Sequence, residues 1–540
     1  MFTIHQIFLC GILYWLAEAN LPFVTLWTLQ KPLVCGWAAG LVLGAPVQGA
    51  LCGAVLSVIL LGFSSAGSSM PIDLALTGIT GAALTALGLS TYAAVLPALL
   101  AGCAGKYIWK LRMQINVHFA RQVRSFIESG KSEQILLPAI VYPALFAAAV
   151  CIPVSTAAIL LCNLFVHNIH SMRIFVSVDE FLAATAGLLP AGGLAVALSA
   201  AGLWKNLPNK SEQKQFKRIY TEKNPLETDP DEEDPDEPAP FAEPGKQTPT
   251  EPGTQGVKQN PVRVLSGRAL TESGLLWLLF LHICYNNEWM MGQAMAVVFL
   301  PLARELRPGD RDGQREILLR QSRYFNTHCE CGACIPGLMA SMEEQLVSDA
   351  DESSEKIDEI LMVRTSLMGV CGAQGDTLFQ KHLIPFLLTA ACLLTAVRPQ
   401  RPLGPILFTL LMTGFSFVIG LRSFFTGYHS EPLQLLRNLE KNIFRKAESG
   451  MRILLALFSI PAAFFFIRFP FKEIPALPFY MAGSSAEQFL QSNTWFFPTG
   501  AAALLLIAAC MICVCRFHWK KLHLYSVLTV AGAALYIICR

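Results

Sequence analysis

The chain has 540 residues, of which 53% are hydrophobic and only 15% charged, whereas an ordinary soluble domain keeps about a quarter of its residues charged. That shortage excludes an ordinary soluble globular class and points to a membrane. A net charge of +2, from 41 Lys and Arg against 39 Asp and Glu, leaves no basic excess for nucleic acid.

The apolar tracts run in order from Phe2 to Trp27, Leu33 to Phe63 and Leu74 to Ala104, and several reach the roughly 20 residues that cross a bilayer. Backbone amides in hydrocarbon must be satisfied within their own segment, so the tracts should be helices, broken or re-entrant only where protein covers them. The first tract lacks a basic leader and is interrupted by Glu18, so it reads as a retained membrane segment rather than a secretory signal. Glycines recur at Gly36, Gly40, Gly44, Gly49 and Gly53. Small residues at this spacing let helix backbones approach closely.

Next come Lys106, Lys110, Arg112, Arg121, Arg124 and Lys131, interleaved with Trp109, Leu111, Ile115 and Phe119. The segment Tyr107 to Ile127 is expected to be an amphipathic helix lying on the membrane surface or capping the bundle, on the cytoplasmic side, rather than a crossing. Two further tracts, Ile135 to Val166 and Phe181 to Trp204, return the chain to the same side, where Lys205, Lys210, Lys214, Lys217 and Arg218 are again basic. Charge and parity agree.

From residue 205 to 262 apolar character collapses into Pro, Glu, Asp, Lys, Gln and Thr. Such a stretch buries too little apolar surface to offset its ordering entropy and is expected to be a disordered, acidic, Pro-rich cytoplasmic linker. The expected fold is an all-α polytopic membrane protein: a module over 1–204, the linker, and a second module over 263–540 with apolar tracts at Leu383 to Val397 and Ile453 to Ile467.

Ionisable groups inside such tracts are costly and usually face a cavity, a partner or a transport path. Asp73 is the only acidic residue between Glu18 and Glu128, and it follows Pro71 beside Ser64, Ser65, Ser68 and Ser69. It reads either as a helix cap or as a carboxylate at membrane depth that accepts bonds from sugar hydroxyls. Asp376, the only acidic residue between Glu359 and Glu431, has the same two readings. The pairs Asn286 with Glu288, and Asn326 with His328, read as surface chemistry or as further ligand groups.

The 16 cysteines lie mostly singly in apolar tracts, which is not a disulfide framework. The run His328-Cys329-Glu330-Cys331-Gly332-Ala333-Cys334 offers metal-ligand types, yet free thiols in a small-residue turn fit the spacing as well. No cofactor is expected.

Particular motifs go further. Lys31-Pro32-Leu33, Gly40 through Gly44, Gln48-Gly49-Ala50, Leu61-Gly62, Gly67 and Pro71-Ile72-Asp73 resemble the signature of mannose-family phosphotransferase-system IIC subunits. Tyr285-Asn286-Asn287-Glu288-Trp289-Met290, Tyr324-Phe325-Asn326-Thr327-His328, Glu343-Glu344-Gln345, Leu367-Met368-Gly369, Gly375-Asp376, Gly404-Pro405 and Gly427-Tyr428 resemble IID subunits in order and spacing. The resemblance to the mannose/fructose/sorbose family implies that IIC and IID form the sugar channel of a bacterial inner membrane. It implies as partners a sugar, the lipid bilayer, cytoplasmic IIA and IIB phosphocarriers and further copies of the chain, with no phosphorylated residue of its own. The substrate-binding residues it marks are Gln48, Ser57, Ser65, Asp73, Asn286, Glu288, Asn326, His328 and Asp376.

Several motif positions differ. Ala45 stands for a family Asp, Ser57 for Glu, Ser65 for Asn, Tyr285 for Trp, Trp289 for Arg, Cys329 for Pro and Ile384 for Arg. Losing a carboxylate that bonds sugar hydroxyls removes about 1.5–3 kcal/mol per bond, so a degenerate, non-transporting sensor or assembly subunit is the second expectation.

Overall fold

A computed structural model describes residues 2–20, 28–63, 71–203, 264–348, 354–432, 434–435, 442–468 and 496–539. The expected linker and Ser65 lie outside the described residues. Met1–Gly202 and Arg263–Arg540 together form one compact unit. Its described residues are almost entirely helical, with only isolated bridges at Asn286, Met290 and Phe325 representing β structure.

Helix α1 (Ile4–Ala19) starts on a capping box between Thr3 and Gln6 and stops at Asn20, whose left-handed backbone (φ 54°) ends the helix. The second apolar tract does not cross as one rod. It folds back as α2 (Pro32–Leu43) and α3 (Pro46–Ile59), because Gly44 at φ 82° supplies the left-handed turn and Pro46 starts the next helix. The two arms touch backbone to backbone: a Cβ on Gly40 would lie 2.7 Å from the Ala45 carbonyl oxygen and 3.2 Å from Gly49 Cα. The glycine spacing is therefore used for packing. At 1.5 Å per residue these arms span only about 20 Å, short of the roughly 30 Å hydrocarbon core, and α4 (Leu74–Ala86) covers both.

Helix α5 (Val95–Glu128) is one unbroken 34-residue rod. The amphipathic segment expected on the membrane surface or as a cap on the bundle is its second half, continuous with the apolar first half rather than a separate helix. Its buried face, Arg112, Met113, Asn116, Ala120, Val123 and Ile127, is covered by protein, with Ala120 packed on Ile283 and Cys284 of the second module. Amphipathic periodicity shows that a face is covered without showing by what. A 3-10 turn and a π turn lead into α6 (Tyr142–Ser171), followed by α7 (Phe175–Ala186) and α8 (Leu189–Ala200).

The second module contains α9 (Gly267–Phe280), α10 (Gly292–Leu306), α11 (Arg311–Gln321), α12 (Cys334–Ser348) and α13 (Ser354–Gly375). A π turn, Asp376–Leu383, joins α13 to α14 (Ile384–Val397), and α15 (Leu403–Tyr428), α16 (Asn442–Phe466), α17 (Phe496–Cys515) and α18 (Lys521–Cys539) follow.

Among the described residues six helical stretches are long and apolar enough to span a membrane: Ser132–Ser171, Phe175–Ala200, Ser354–Val397, Leu403–Tyr428, Lys446–Phe466 and Lys521–Ile538. Leu161, Leu164, Leu410 and Val418 on these stretches are exposed, as lipid-facing side chains should be. The two modules interlock. Helix α14 packs on α3 and α17 on α8, while the Tyr92 hydroxyl donates to the Phe466 carbonyl at 2.8 Å and the Arg468 amide to Gly187 at 2.9 Å.

Candidate functional site

A polar cavity of about 300 Å³ lies between α5 and the second module. Its first wall is one face of α5, where Trp109, Arg112, Met113 and Asn116 recur at helical spacing beside Asn20 at the end of α1. The Arg112 guanidinium is held by Glu18 at 2.9 Å, with both side chains buried. Asn116 Nδ2 donates to the carbonyls of Ile283 (3.3 Å) and Tyr285 (2.9 Å). With both amide protons committed, its Oδ1 remains as an acceptor.

The second wall is the segment after α9. Asn286 is fully buried but does not line the cavity. Its Oδ1 accepts from the backbone amides of Glu288 (3.1 Å) and Trp289 (2.9 Å), and its Nδ2 donates to Cys284 (2.9 Å). Asn286 thus shapes the loop that presents His282, Tyr285 and Met291 to the cavity. Burial pushes the His282 imidazole down to about 4, so it is uncharged at neutral pH.

The third wall comes from Asn326 to Cys329 and from one face of α13 continued through the π turn, where Gly369, Gly372, Asp376 and Gln380 align. The Tyr285 hydroxyl donates to Asn326 Oδ1 at 3.3 Å, which leaves Asn326 Nδ2 as a donor. Gln380 Nε2 donates to Asp376 Oδ1 at 2.8 Å. A Cβ on Gly369 would meet nothing within 4 Å, so the missing side chain is part of the open space. Short π segments inside helices are rare and are frequently found at functional sites.

The structure therefore brings Asn326, His328 and Asp376 to one cavity and places Gln48, Ser57, Asp73, Asn286 and Glu288 outside its lining. Asp73 is buried and caps α4: its Oδ1 accepts from the Leu76 amide at 2.8 Å, and the Tyr14 hydroxyl donates to its Oδ2 at 2.5 Å. Ser57 Oγ accepts from the Leu33 amide at 2.9 Å, meeting an amide that the first turn of α2 leaves open. Gln48 is exposed on α3.

Glu288 is exposed and pairs with Arg121 across the modules at 2.6 Å. Exposed pairs are worth about 0–1 kcal/mol. Arg121→Ala is accordingly expected to leave the melting temperature of the detergent-solubilised chain almost unchanged in a thermal shift assay.

The cysteine run divides between neighbourhoods. Cys329 Sγ lies 3.5 Å from His282 Nδ1, whereas Cys334 Sγ faces Cys371 Sγ at 3.6 Å. Burial, reinforced by the neighbouring Glu330 carboxylate, pushes the Cys329 and Cys331 thiols well up. Among the described residues no group of three or more His, Cys, Asp or Glu is placed to hold a metal ion. His328 Nδ1 sits 3.2 Å from Glu330 Oε2, and Ser416 donates to the other oxygen of Glu330 at 2.6 Å.

Arg112, Asn116, His282 and Gln380 are among the cavity residues that lie outside the family motifs. The available signal was the lone carboxylate Glu18 in the first apolar tract, which needs a buried cation as its partner.

Six candidate spans among the described residues, with a polar cavity between the helices, describe a multi-pass membrane protein. Residues 4–208 match the PTS system sorbose-specific IIC component, and residues 265–538 match the PTS system mannose/fructose/sorbose family IID component. The chain belongs to this family of phosphotransferase-system membrane components, with IIC and IID in one polypeptide.

The fructose permease IID component of Bacillus subtilis (strain 168) is 27% identical over 176 residues, which are 32% of this chain and 61% of that protein. The chain thus spans about three-fifths of that relative's length. Among solved structures, the mannose transporter ManYZ in complex with microcin E492 (MceA) is 21% identical, with a TM-score of 0.29, covering 51% of this chain and 97% of the other. A second, described as a membrane protein, is 22% identical with a TM-score of 0.39, covering 51% and 98%.

Proposed function

We propose that the chain is the sugar-translocating membrane part of a mannose-family phosphotransferase system and that the cavity holds the sugar. The supporting observation is that both modules line one polar cavity whose walls offer donors, at Arg112 and Asn326, and acceptors, at Asn116 and Asp376. A sugar hydroxyl both donates and accepts, so it needs such a mixed lining. The volume lies at the small end of the roughly 300–1,000 Å³ usual for ligand sites, and Trp109 and Tyr285 add aromatic faces for the apolar side of a sugar ring.

Phosphate comes from separate IIA and IIB proteins. Basic residues at both ends of the 132–200 pair of spans support an inner-membrane orientation with the linker in the cytoplasm. Association of several copies is part of the same reading, and mass photometry of the chain in nanodiscs measures it.

The motif departures at Ala45, Ser57 and Ile384 do not line the cavity, whereas Tyr285 and Cys329 do. The exchanges are thus placed to change which sugar fits rather than to remove the site. Vesicles carrying the full chain, supplied with its IIA and IIB proteins and phosphoenolpyruvate-driven phosphocarriers, should accumulate labelled fructose, mannose or sorbose as the phosphate. Saturable binding without uptake would favour the non-transporting reading instead.

A further inference from the structure

We infer that Arg112 is a ligand-contacting residue of the cavity and that Glu18 is the residue that positions it. The inference rests on reading the cavity as the sugar site. Glu18 stands in the last turn of α1, Arg112 midway along α5, and they are 1% and 5% exposed. Nη1 of Arg112 lies 2.9 Å from Glu18 Oε2. The other Glu18 oxygen is occupied as well. Gln30 Nε2 approaches it at 3.2 Å while also reaching the Ala17 carbonyl (3.1 Å) and Asn20 Oδ1 (3.3 Å).

The carboxylate is thus fixed from both sides, and it fixes the guanidinium in turn. Among the described residues Glu18 is the sole hydrogen-bond partner of Arg112, and it uses one nitrogen. Arg112 also lines the cavity, so N–H groups that Glu18 does not take are available to a ligand there.

A guanidinium has five N–H donors and no acceptor, so this wall reads lone pairs: hydroxyl, ring or anomeric oxygens. An ammonium placed there would be repelled. Across the cavity Asp376 can only accept while ionised, so the two walls have opposite requirements and define an orientation for the sugar. Glu18 also offsets the charge of Arg112, so a neutral sugar meets a strong donor without a net cation. Removing one member of a buried pair strands the other charge, so single variants confuse fold with contact. The double variant separates them.

The experiment uses the full chain in vesicles with its IIA and IIB proteins, measuring KM and kcat for labelled fructose, mannose and sorbose, with thermal unfolding in parallel. Variants are Arg112→Gln, Arg112→Lys, Glu18→Gln and the Glu18→Gln/Arg112→Gln double. The double should regain most of the thermal stability lost in the singles, because two neutral amides can bond each other, while its KM stays raised tenfold or more. Glu18→Gln, with arginine retained but loosened, should raise KM with kcat largely kept.

Monodeoxy analogues of the transported sugar add a readout that a structural role does not move: one of them should cost the wild type affinity and cost Arg112→Lys and the double none. A double variant with wild-type KM, or deoxy analogues that penalise every variant alike, overturns the inference while leaving sugar transport standing. A wild-type chain that takes up none of the three sugars overturns the functional reading and this inference with it.

Discussion

Asp376→Asn is expected to weaken sugar binding by about tenfold to a hundredfold, the equivalent of a charge-assisted hydrogen bond worth about 1.5–3 kcal/mol. The substitution keeps the shape and one carbonyl oxygen, so the bond from Gln380 to Oδ1 survives. What is lost is the second carboxylate oxygen as a strong acceptor for a sugar hydroxyl. Asp376 sits at the start of the π turn with both helical neighbours in place, so the fold should be untouched. Equilibrium binding of the labelled sugar to purified chain in nanodiscs reads the change directly, and an unaltered dissociation constant would remove Asp376 from the ligand contacts.

Asp73→Ala should do the reverse, lowering stability while sparing affinity. Its side chain caps α4, and losing such a cap costs about 0.5–2 kcal/mol. The Tyr14 hydroxyl would be left buried without its acceptor, a further cost of about 1–3 kcal/mol. Relief by collapse is limited, because Gly105 of α5 already rests on this residue, with a Cβ there only 2.6 Å from Asp73 Cβ. A markedly lower thermal midpoint and yield should accompany an unchanged dissociation constant in the protein that folds. Asp73→Asn, which still caps and still accepts, should be much milder. Normal stability with lost binding would return Asp73 to the sugar.

These two carboxylates show how much of the site the sequence made legible. Each is isolated among apolar residues and follows a turn signal, so each reads equally well as a cap or as a ligand. Only the tertiary neighbours separate them: Tyr14 and Gly105 close over Asp73, while Gly369 and Gly372 leave room along the helix that ends at Asp376. Asn286 shows the same limit, since its spacing marks it as polar near a membrane but not that its amide is used up by its own loop.

Arg112 was hidden for a different reason. It stands in a run of basic residues that reads as cytoplasmic surface, and its burial depends on a partner 94 positions away in the chain. For the fold, apolar tract lengths and the glycine-proline break at Gly44 and Pro46 carry the helices and the hairpin. The continuity of α5 was less legible because its charge density rises along its length, although a helix tolerates that wherever another module covers its polar residues.

The most direct measurement is the binding isotherm of labelled fructose, mannose and sorbose to the full chain and to Gly369→Leu, both in nanodiscs. Gly369 lines the cavity and a Cβ there meets nothing within 4 Å, so a leucine should take up cavity space, and replacing glycine within a helix favours the fold by roughly 1 kcal/mol. Saturable binding by the wild type, abolished in a Gly369→Leu variant that melts at or above the wild-type temperature, is the expected result. Equal binding by both proteins would show that the sugar sits elsewhere and that the cavity between the two modules is not its site.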